Sequence, residues 1–257
     1  MNNELNLLPL ISIITPVFNS EKYICETINS VLDQTYNNWE LLIVDDCSED
    51  SSFELVSRYA QLDSRIKVFK NKNNSKAFET RNVALRNASG NFIAFLDSDD
   101  IWHKNKLKMQ LEFMLINNYS FTYTAFSRFE GSPSNNNKII NIVDKVSYKY
   151  LLGNSVIVTS SVMINKDSFG YFEMQNVYYD DFVLWLELLS KTQYAYCLNK
   201  CLLQYRISTN SLSNNKFKSA KKLYQIFNNN LNLNIFDSHF YFLKWAINTS
   251  LRYILKY

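Results

Sequence analysis

Four short apolar runs, separated by stretches long enough for helices, set the frame of this chain. Leu10 to Thr15, Trp39 to Val44, Ile66 to Phe69 and Phe92 to Leu96 are rich in Ile, Val, Leu and Phe. Apolar runs of this length read as buried strands. Ile24, Ile28, Val31 and Leu32 repeat at i, i+4, i+7 and i+8 between the first two, which gives a helix one apolar face. Ser20 stands where it can cap that helix, with Glu21 in the first turn. Phe53, Val56 and Ala60 give helical spacing to Ser51 to Leu62, and Lys76 to Ala88 reads as a helix closed by Gly90. Strands alternating with helices imply βαβ units and a mainly parallel sheet. Ligands of such sheets bind beyond the C-terminal ends of the strands. Polar clusters follow three of these ends: Thr15 to Asn19, Asp45-Asp46, and Asp97 to Asp100. A parallel sheet brings all three to one edge.

The rest of the chain is less regular. Leu107, Leu111 and Leu115 mark a helix over Lys104 to Asn117, and Ser120 to Phe129 and Val156 to Ile164 read as strands. Ser132 to Lys138 reads as a polar loop, and Asp180 to Ser190 as a helix with an acidic start. A loop and helix follow Ser208. The net charge of +3 divides unevenly, since residues 191–257 contain ten Lys or Arg against one acid, Asp237. That part carries +9 and the first 190 residues −6, so the C-terminal end favours an anionic surface or partner.

The chain has only four glycines, and no G-x-G-x-x-G, G-x-x-x-x-G-K-[ST] or G-x-S-x-G occurs. Dinucleotide-binding loops, phosphate loops and nucleophile elbows of the usual kinds are therefore excluded. Two histidines leave little room for a His-based metal site, and the four cysteines form no C-x-x-C. With 257 residues, 47% hydrophobic and 20% charged, the chain has an ordinary globular balance. Its first residues do not resemble a signal peptide, and no segment reaches the roughly 18 uninterrupted apolar residues of a membrane span. The expectation is a cytoplasmic protein.

FLDSDD, Phe95 to Asp100, concentrates acid at the end of the fourth strand. Asp97 and Asp99 are two residues apart, and in an extended chain both carboxylates point to one side. One or two carboxylates commonly hold a divalent cation whose shell is completed by substrate phosphates. Such a metal neutralises a diphosphate leaving group. A solvated acidic turn is the competing reading of the same residues.

Four stretches carry a resemblance. They are SIITPVFNSEKYICETINSVLDQTYNNWELLIVDDCSEDSS (Ser12 to Ser52), TRNVALRNASGNFIAFLDSDDIW (Thr80 to Trp102), YYDDFVLWLELL (Tyr178 to Leu189) and YRISTNSLSNNK (Tyr205 to Lys216). In order and spacing they resemble family 2 glycosyltransferases of GT-A fold, of the kind that builds bacterial surface polysaccharides such as teichuronic acid.

The resemblance implies an α/β, GT-A-like architecture: a mainly parallel nucleotide-binding sheet flanked by helices, with a smaller acceptor-side region and a helical C-terminus. It implies a catalytic domain over 1–216, in which about 10–102 bind the nucleotide sugar and 103–216 face the acceptor. A basic helical segment, 217–257, follows. The implied activity is inverting transfer of a sugar from a nucleotide-diphosphate sugar, UDP favoured, to a hydroxyl of a glycan or polyprenyl-lipid-linked acceptor. The implied cofactor is Mn²⁺ or Mg²⁺, held by Asp97 and Asp99. A catalytically weak nucleotide-sugar-binding scaffold and a sugar nucleotidyltransferase are the alternatives. The second usually needs a Gly-rich basic loop that Thr15 to Lys22 lacks.

Residue roles follow the same resemblance. Pro16, Phe18 and Asn19 line the base pocket, where an aromatic face can stack on a base. For Phe18, core packing competes. Asp46 or its neighbour Asp45 accepts the base N–H, with helix capping after Ser48 as the alternative. Lys76 and Arg81 contact the donor phosphates, to which Arg binds bidentately, or else sit on a solvated helix face. Ser98 belongs to the nucleotide-sugar site. Arg206 and the Ser-rich stretch after it close over the phosphates, or form a surface strand and loop.

Family members often carry Gly at Cys47 and near Lys76, so the donor loop departs from the pattern at both places. By the same resemblance Asp180-Asp181 supplies the base. Adjacent helical residues do not face the same way, so only one enters the site. Asp181 is favoured because it falls on the family's aspartate, which is usually preceded by Glu or Gln. Helix-terminus electrostatics are the competing role for both acids. Trp185 reads as core.

Phe240, Phe242, Leu243, Trp245, Ile247, Leu251, Ile254 and Leu255 form a broad apolar helix face bordered by Lys244, Arg252 and Lys256. It suits peripheral contact with the inner face of the cell membrane, or packing on the catalytic domain. No nucleic-acid reader motif is present, and no nucleic-acid partner is expected.

Overall fold

The four apolar runs form strands joined by helices. The computed structural model describes residues 8–131, 138–140, 143–207, 216–231 and 233–254. The Ser-rich stretch 208–215, most of the 132–138 loop and the last three residues lie outside that set, as do the side chains of Arg252 and Ile254. Strands β1 (Ile11–Val17), β2 (Trp39–Asp45), β3 (Ile66–Lys70) and β4 (Phe92–Phe95) alternate with helices α1 (Ile24–Leu32), α2 (Ser52–Leu62) and α3 (Lys76–Arg86). β1 pairs in parallel with β2 and β4, and β2 with β3. β1 and β2 are almost wholly buried, which is why they read as near-continuous apolar runs.

The second half extends the same sheet. After β5 (Ile101–Trp102) come α4 (Lys106–Asn117), β6 (Phe121–Phe129), β7 (Ile139–Ile140), β8 (Lys145–Val146) and α5 (Tyr148–Leu152). They are followed by β9 (Met163–Asn165), α6 (Asp180–Lys191), β10 (Ala195–Arg206), α7 (Lys216–Asn229) and α8 (Ile235–Ile254). The strand order is β3-β2-β1-β4-β9-β6-β10-β5, with β7 on β6 and β8 on β10. β9 runs antiparallel between β4 and β6, so the sheet is mixed at its middle and parallel on the nucleotide side.

Two expectations change here. The strand read over Val156 to Ile164 is only three residues long, β9, and a 3-10 turn at Thr159–Ser161 precedes it. The hydroxyls decide this: Ser161 Oγ donates to Val158 O at 2.6 Å, and such local bonds compete with ladder formation. The C-terminal face is also divided. Phe242 and Trp245 turn inward onto the core, while Phe240, Leu243, Ile247 and Leu251 stay exposed. Trp185 is core as expected, its ring edge-on to Phe95 at 5.2 Å.

Candidate active site

The polar clusters at the ends of β1, β2 and β4 meet in one cleft of about 1380 Å³. Ordinary small-molecule pockets occupy roughly 300–1,000 Å³, so this cleft has room for two substrates. Pro16, Phe18, Asn19, Asp46, Lys76, Arg81, Asp97, Ser98, Asp99, Asp181 and Arg206 all line it. Asp45 and Asp180 do not.

At the end of β1 the backbone turns sharply. Asn19 sits at φ 48°, its N–H donating to Ser48 Oγ at 3.0 Å and its Oδ1 accepting from Glu49 N at 2.8 Å. Short polar side chains tolerate this left-handed conformation because they bond locally. Phe18 is exposed to the cleft rather than packed in the core, which leaves its ring available for stacking. Asp45 and Asp46 both accept backbone N–H groups, but in different places. Buried Asp45 caps locally, accepting from Ser48 N at 3.2 Å. Asp46 accepts from Ser75 N at 2.7 Å, Lys76 N at 2.9 Å and Asn71 Nδ2 at 2.7 Å. It thus caps α3 from a different strand. About four lone-pair directions exist on a carboxylate, so one remains for a ligand N–H.

Cys47 and Lys76, at and near which the family resemblance leads one to expect glycine, both have left-handed backbones, φ 62° and 69°. The loop therefore keeps a glycine-like path without glycine, a strain of about 1–2 kcal/mol per residue.

The segment from Asp97 to Asp100 is a turn and not extended chain, closed by Asp100 N donating to Asp97 O at 3.2 Å. Asp97 and Asp99 still face the cleft, while Asp100 turns inward and is fully buried. Ser160, on the 3-10 turn, links the two halves of the motif. Asp97 N donates to Ser160 Oγ at 3.0 Å, and Ser160 Oγ donates to Asp100 Oδ2 at 2.5 Å. Thr27 Oγ1 ties the same turn to α1 by donating to Ser98 O and Asp100 O. Burial, with the neighbouring Asp97 charge, pushes the Asp99 carboxyl up to about 6. Burial and the Asp99 and Asp97 charges hold Asp100 well above the usual carboxylate range.

Both arginines expected at the donor phosphates are engaged with protein groups. Buried Arg81 donates from Nη2 to Asp97 Oδ1 at 2.6 Å and from Nη1 to Asp180 Oδ2 at 3.0 Å. Burial opposes its charge, but Asp97 and Asp180 more than compensate and hold its pKa above the ordinary value. Every nitrogen of Arg206 has a protein partner: its backbone N–H donates to Asp100 Oδ1, Nε to Asp99 O, Nη1 to Gly131 O and Nη2 to Glu26 Oε2. Its guanidinium lies 4.3 Å from the Tyr23 ring and 4.4 Å from the Phe129 ring. Arg206 braces the acidic turn and lines the cleft beside it.

The adjacent acids on α6 separate as helical geometry requires. Asp180 points to Arg81, and burial pushes its carboxyl up to about 6 against the Arg81 charge. Asp181 faces the cleft, with Oδ2 accepting from Thr159 Oγ1 at 2.6 Å. Thr159 and Ser160 are thus contacts of the base candidate and of the acidic turn that sequence reading missed. Their only signal was a hydroxyl cluster inside an apolar run. Tyr23, Tyr178 and Tyr179 line the cleft as well and were not singled out.

The donor set fits a hard divalent cation. Among the described residues no three His, Cys, Asp or Glu side chains converge on one metal position. Two oxygen ligands plus a diphosphate meet the need of Mg²⁺-like ions. Asp99 and Asp181 form no ion pair among the described residues, and both face the cleft.

A profile of the family described as Glycosyl transferase family 2 matches residues 12–183. The chain belongs to glycosyl transferase family 2. Among relatives, this family 2 glycosyltransferase is 39% identical over 244 residues to TuaG of Bacillus subtilis, named for teichuronic acid biosynthesis, covering 95% of this chain and 97% of that one. It is 41% identical over 222 residues to WfgD of Escherichia coli, named a UDP-Glc:alpha-D-GlcNAc-diphosphoundecaprenol beta-1,3-glucosyltransferase, covering 84% and 85%.

Solved structures share the GT-A fold. S. aureus TarS 1-349 in complex with UDP-GlcNAc superposes with a TM-score of 0.68 at 21% identity, over 92% of this chain and 71% of that one. The mannosyltransferase PcManGT of Pyrobaculum calidifontis, in complex with GDP-Man and Mn²⁺, gives 0.68 at 13% identity over 96% and 75%.

Proposed function

We propose that this glycosyltransferase moves a sugar, with inversion, from a UDP-sugar to a hydroxyl of a polyprenyl-lipid-linked or glycan acceptor in surface polysaccharide synthesis. The observation that carries the reading is the convergence of Asp46, Asp97, Asp99 and Asp181 on one cleft large enough for donor and acceptor. The names of TuaG and WfgD support the acceptor class. The ligands of WfgD and TarS support the uridine nucleotide, and the Mn²⁺ of PcManGT supports a divalent cation.

In this reading Phe18 stacks on the base and Asp46 accepts its N–H, with Pro16 and Asn19 shaping the pocket. Asp97 and Asp99 hold Mn²⁺ or Mg²⁺, which when bound neutralises the diphosphate. Lys76, exposed at the start of α3, faces the phosphates, and Ser98 lies beside them. The acceptor oxygen attacks the anomeric carbon, and its proton passes to Asp181. The bond from that carbon to the diphosphate oxygen breaks, and the diphosphate leaves with the electron pair. Arg81, Asp180 and Arg206 position the acids. Residues 10–102 form the nucleotide-sugar half, 103–216 the acceptor side, and 217–257 an appended basic helical segment. A lipid-linked acceptor places the reaction at the inner face of the cell membrane.

Donor binding and slow hydrolysis across a panel of nucleotide sugars, with and without Mn²⁺ or Mg²⁺, tests the reading. Cation-dependent binding of one donor, lost in Asp99→Asn, is expected. A folded protein that binds no donor under any of these conditions would refute it.

A further inference from the structure

The last helix has two apolar faces, and the fold uses one. Tyr241, Phe242 and Trp245 pack against the core. Trp245 Nε1 donates to Ser155 Oγ at 3.1 Å and Asn248 Nδ2 to Gly153 O at 3.0 Å. The contact is close enough that a Cβ on Gly153 would lie 2.7 Å from Cδ of Lys244. These contacts fix the rotation of α8 about its own axis.

At 3.6 residues per turn, Phe236, Phe240, Leu243, Ile247 and Leu251 then fall within an arc of about 80° on the opposite side, along roughly 22 Å of helix. They are 48 to 84% exposed. Single exposed apolar residues are ordinary, but a contiguous stripe marks an interaction surface.

Charge identifies what covers it. From Lys216 onward the sequence has seven Lys or Arg and a single acid, Asp237. Asp237 is tied to Asn234 in the α7–α8 connection. α7 packs beside α8 through Tyr224, edge-on to Phe242 at 5.4 Å, and exposes Lys218 and Lys221. Lys244 sits at the border of the stripe. A second copy of the chain would set this basic surface against itself, whereas anionic lipid complements it. We propose that the outward face of α8 docks on an anionic bilayer surface, its stripe entering the headgroup boundary and its flanking lysines meeting lipid phosphates. The proposal rests on the lipid-linked acceptor reading for its purpose, because that acceptor lies in such a surface. It requires no spanning segment: none of the described helices is long and apolar enough to cross a membrane.

Removing α8 after Ile235 would uncover the core that Tyr241, Phe242 and Trp245 cover, so outward substitutions are the test. The full chain is sedimented with vesicles of phosphatidylcholine plus phosphatidylglycerol, and with vesicles of phosphatidylcholine alone. Binding to the anionic vesicles is expected, weakened at least about tenfold in Phe240→Ser/Ile247→Ser, reduced in Lys218→Gln/Lys221→Gln and reduced by salt. The unfolding midpoint and donor affinity should stay those of the wild type.

Binding to neither vesicle, or equal binding by wild type and the stripe variant, overturns the proposal. So does a wild-type dimer that the stripe variant converts to monomer in sedimentation velocity without any vesicle binding. The vesicle assay contains neither donor nor acceptor. Anionic vesicle binding in a protein that transfers no sugar therefore supports docking while refuting the functional reading.

Discussion

Arg81 Nη2 donates to Asp97 Oδ1 at 2.6 Å, so a side chain expected at the donor diphosphate instead holds a carboxylate expected at the cation. Its other terminal nitrogen reaches Asp180 at the start of α6. One guanidinium thus joins the acidic turn after β4 to the helix that carries Asp181.

This relationship makes Arg81 a stability residue in the absence of ligand. Removing one partner of a buried ion pair typically costs about 3–5 kcal/mol, because a charge is left buried and unpaired. Arg81→Met is expected to lower the urea-unfolding free energy of the donor-free protein by about that much. Arg81→Lys should fall between, since a lysine cannot span both carboxylates. A variant as stable as wild type, with only donor affinity reduced, would return Arg81 to the phosphates.

Asp180 and Asp181 should separate cleanly in kinetics. Asp181→Asn removes the proton acceptor and is expected to lower kcat by about 10²–10⁴-fold with donor affinity little changed. Asp180→Asn should act through Arg81, showing mainly as lost stability. Steady-state rates, donor titration and unfolding curves on both variants check this, and a reversed pattern would move the base to Asp180.

Lys106 gives a pH signature away from the site. It is fully buried, its Nζ 3.7 Å from the Trp102 ring, and that nitrogen has no hydrogen-bond partner. Burial holds its pKa well below the usual lysine value. The unfolded chain therefore binds more protons than the folded one between that lowered pKa and about 10.4, and stability rises with pH across the window. Lys106→Met should be more stable than wild type near neutrality, and the advantage should shrink as pH approaches about 10. Unfolding free energies of both proteins from pH 7 to 10, taken as a difference, isolate this group; a constant difference would contradict it.

The left-handed backbone at Cys47 predicts a side-chain ranking. Cys47→Gly relieves a strain of about 1–2 kcal/mol but increases unfolded-state entropy, so it should stay within about 1 kcal/mol of wild type. Cys47→Val places a β-branched residue at φ 62° and should be destabilising by more than that. Thermal unfolding of the pair checks the order.

Much of this protein was legible from sequence. The βα alternation, the parallel order of the first strands and the polar clusters at their ends follow from apolar periodicity, which records the face each segment buries. The motif residues Asp46, Asp97 and Asp99 reach one cleft because a parallel sheet aligns its strand ends, and Asp181 joins them from the first turn of α6. The roles of Arg81, Arg206, Asp100 and Ser160 were decided only by tertiary structure. Their partners lie 16 to 180 residues away, and such bonds leave no local pattern. The same holds for Asp97 to Asp100, where a turn replaces extended chain because Thr27, Ser160 and Arg206 hold it. It holds also for α8, whose single apolar pattern became two faces once Trp245 and Asn248 fixed its rotation. Periodicity fixes which residues seek burial; only packing selects the partner that meets each one.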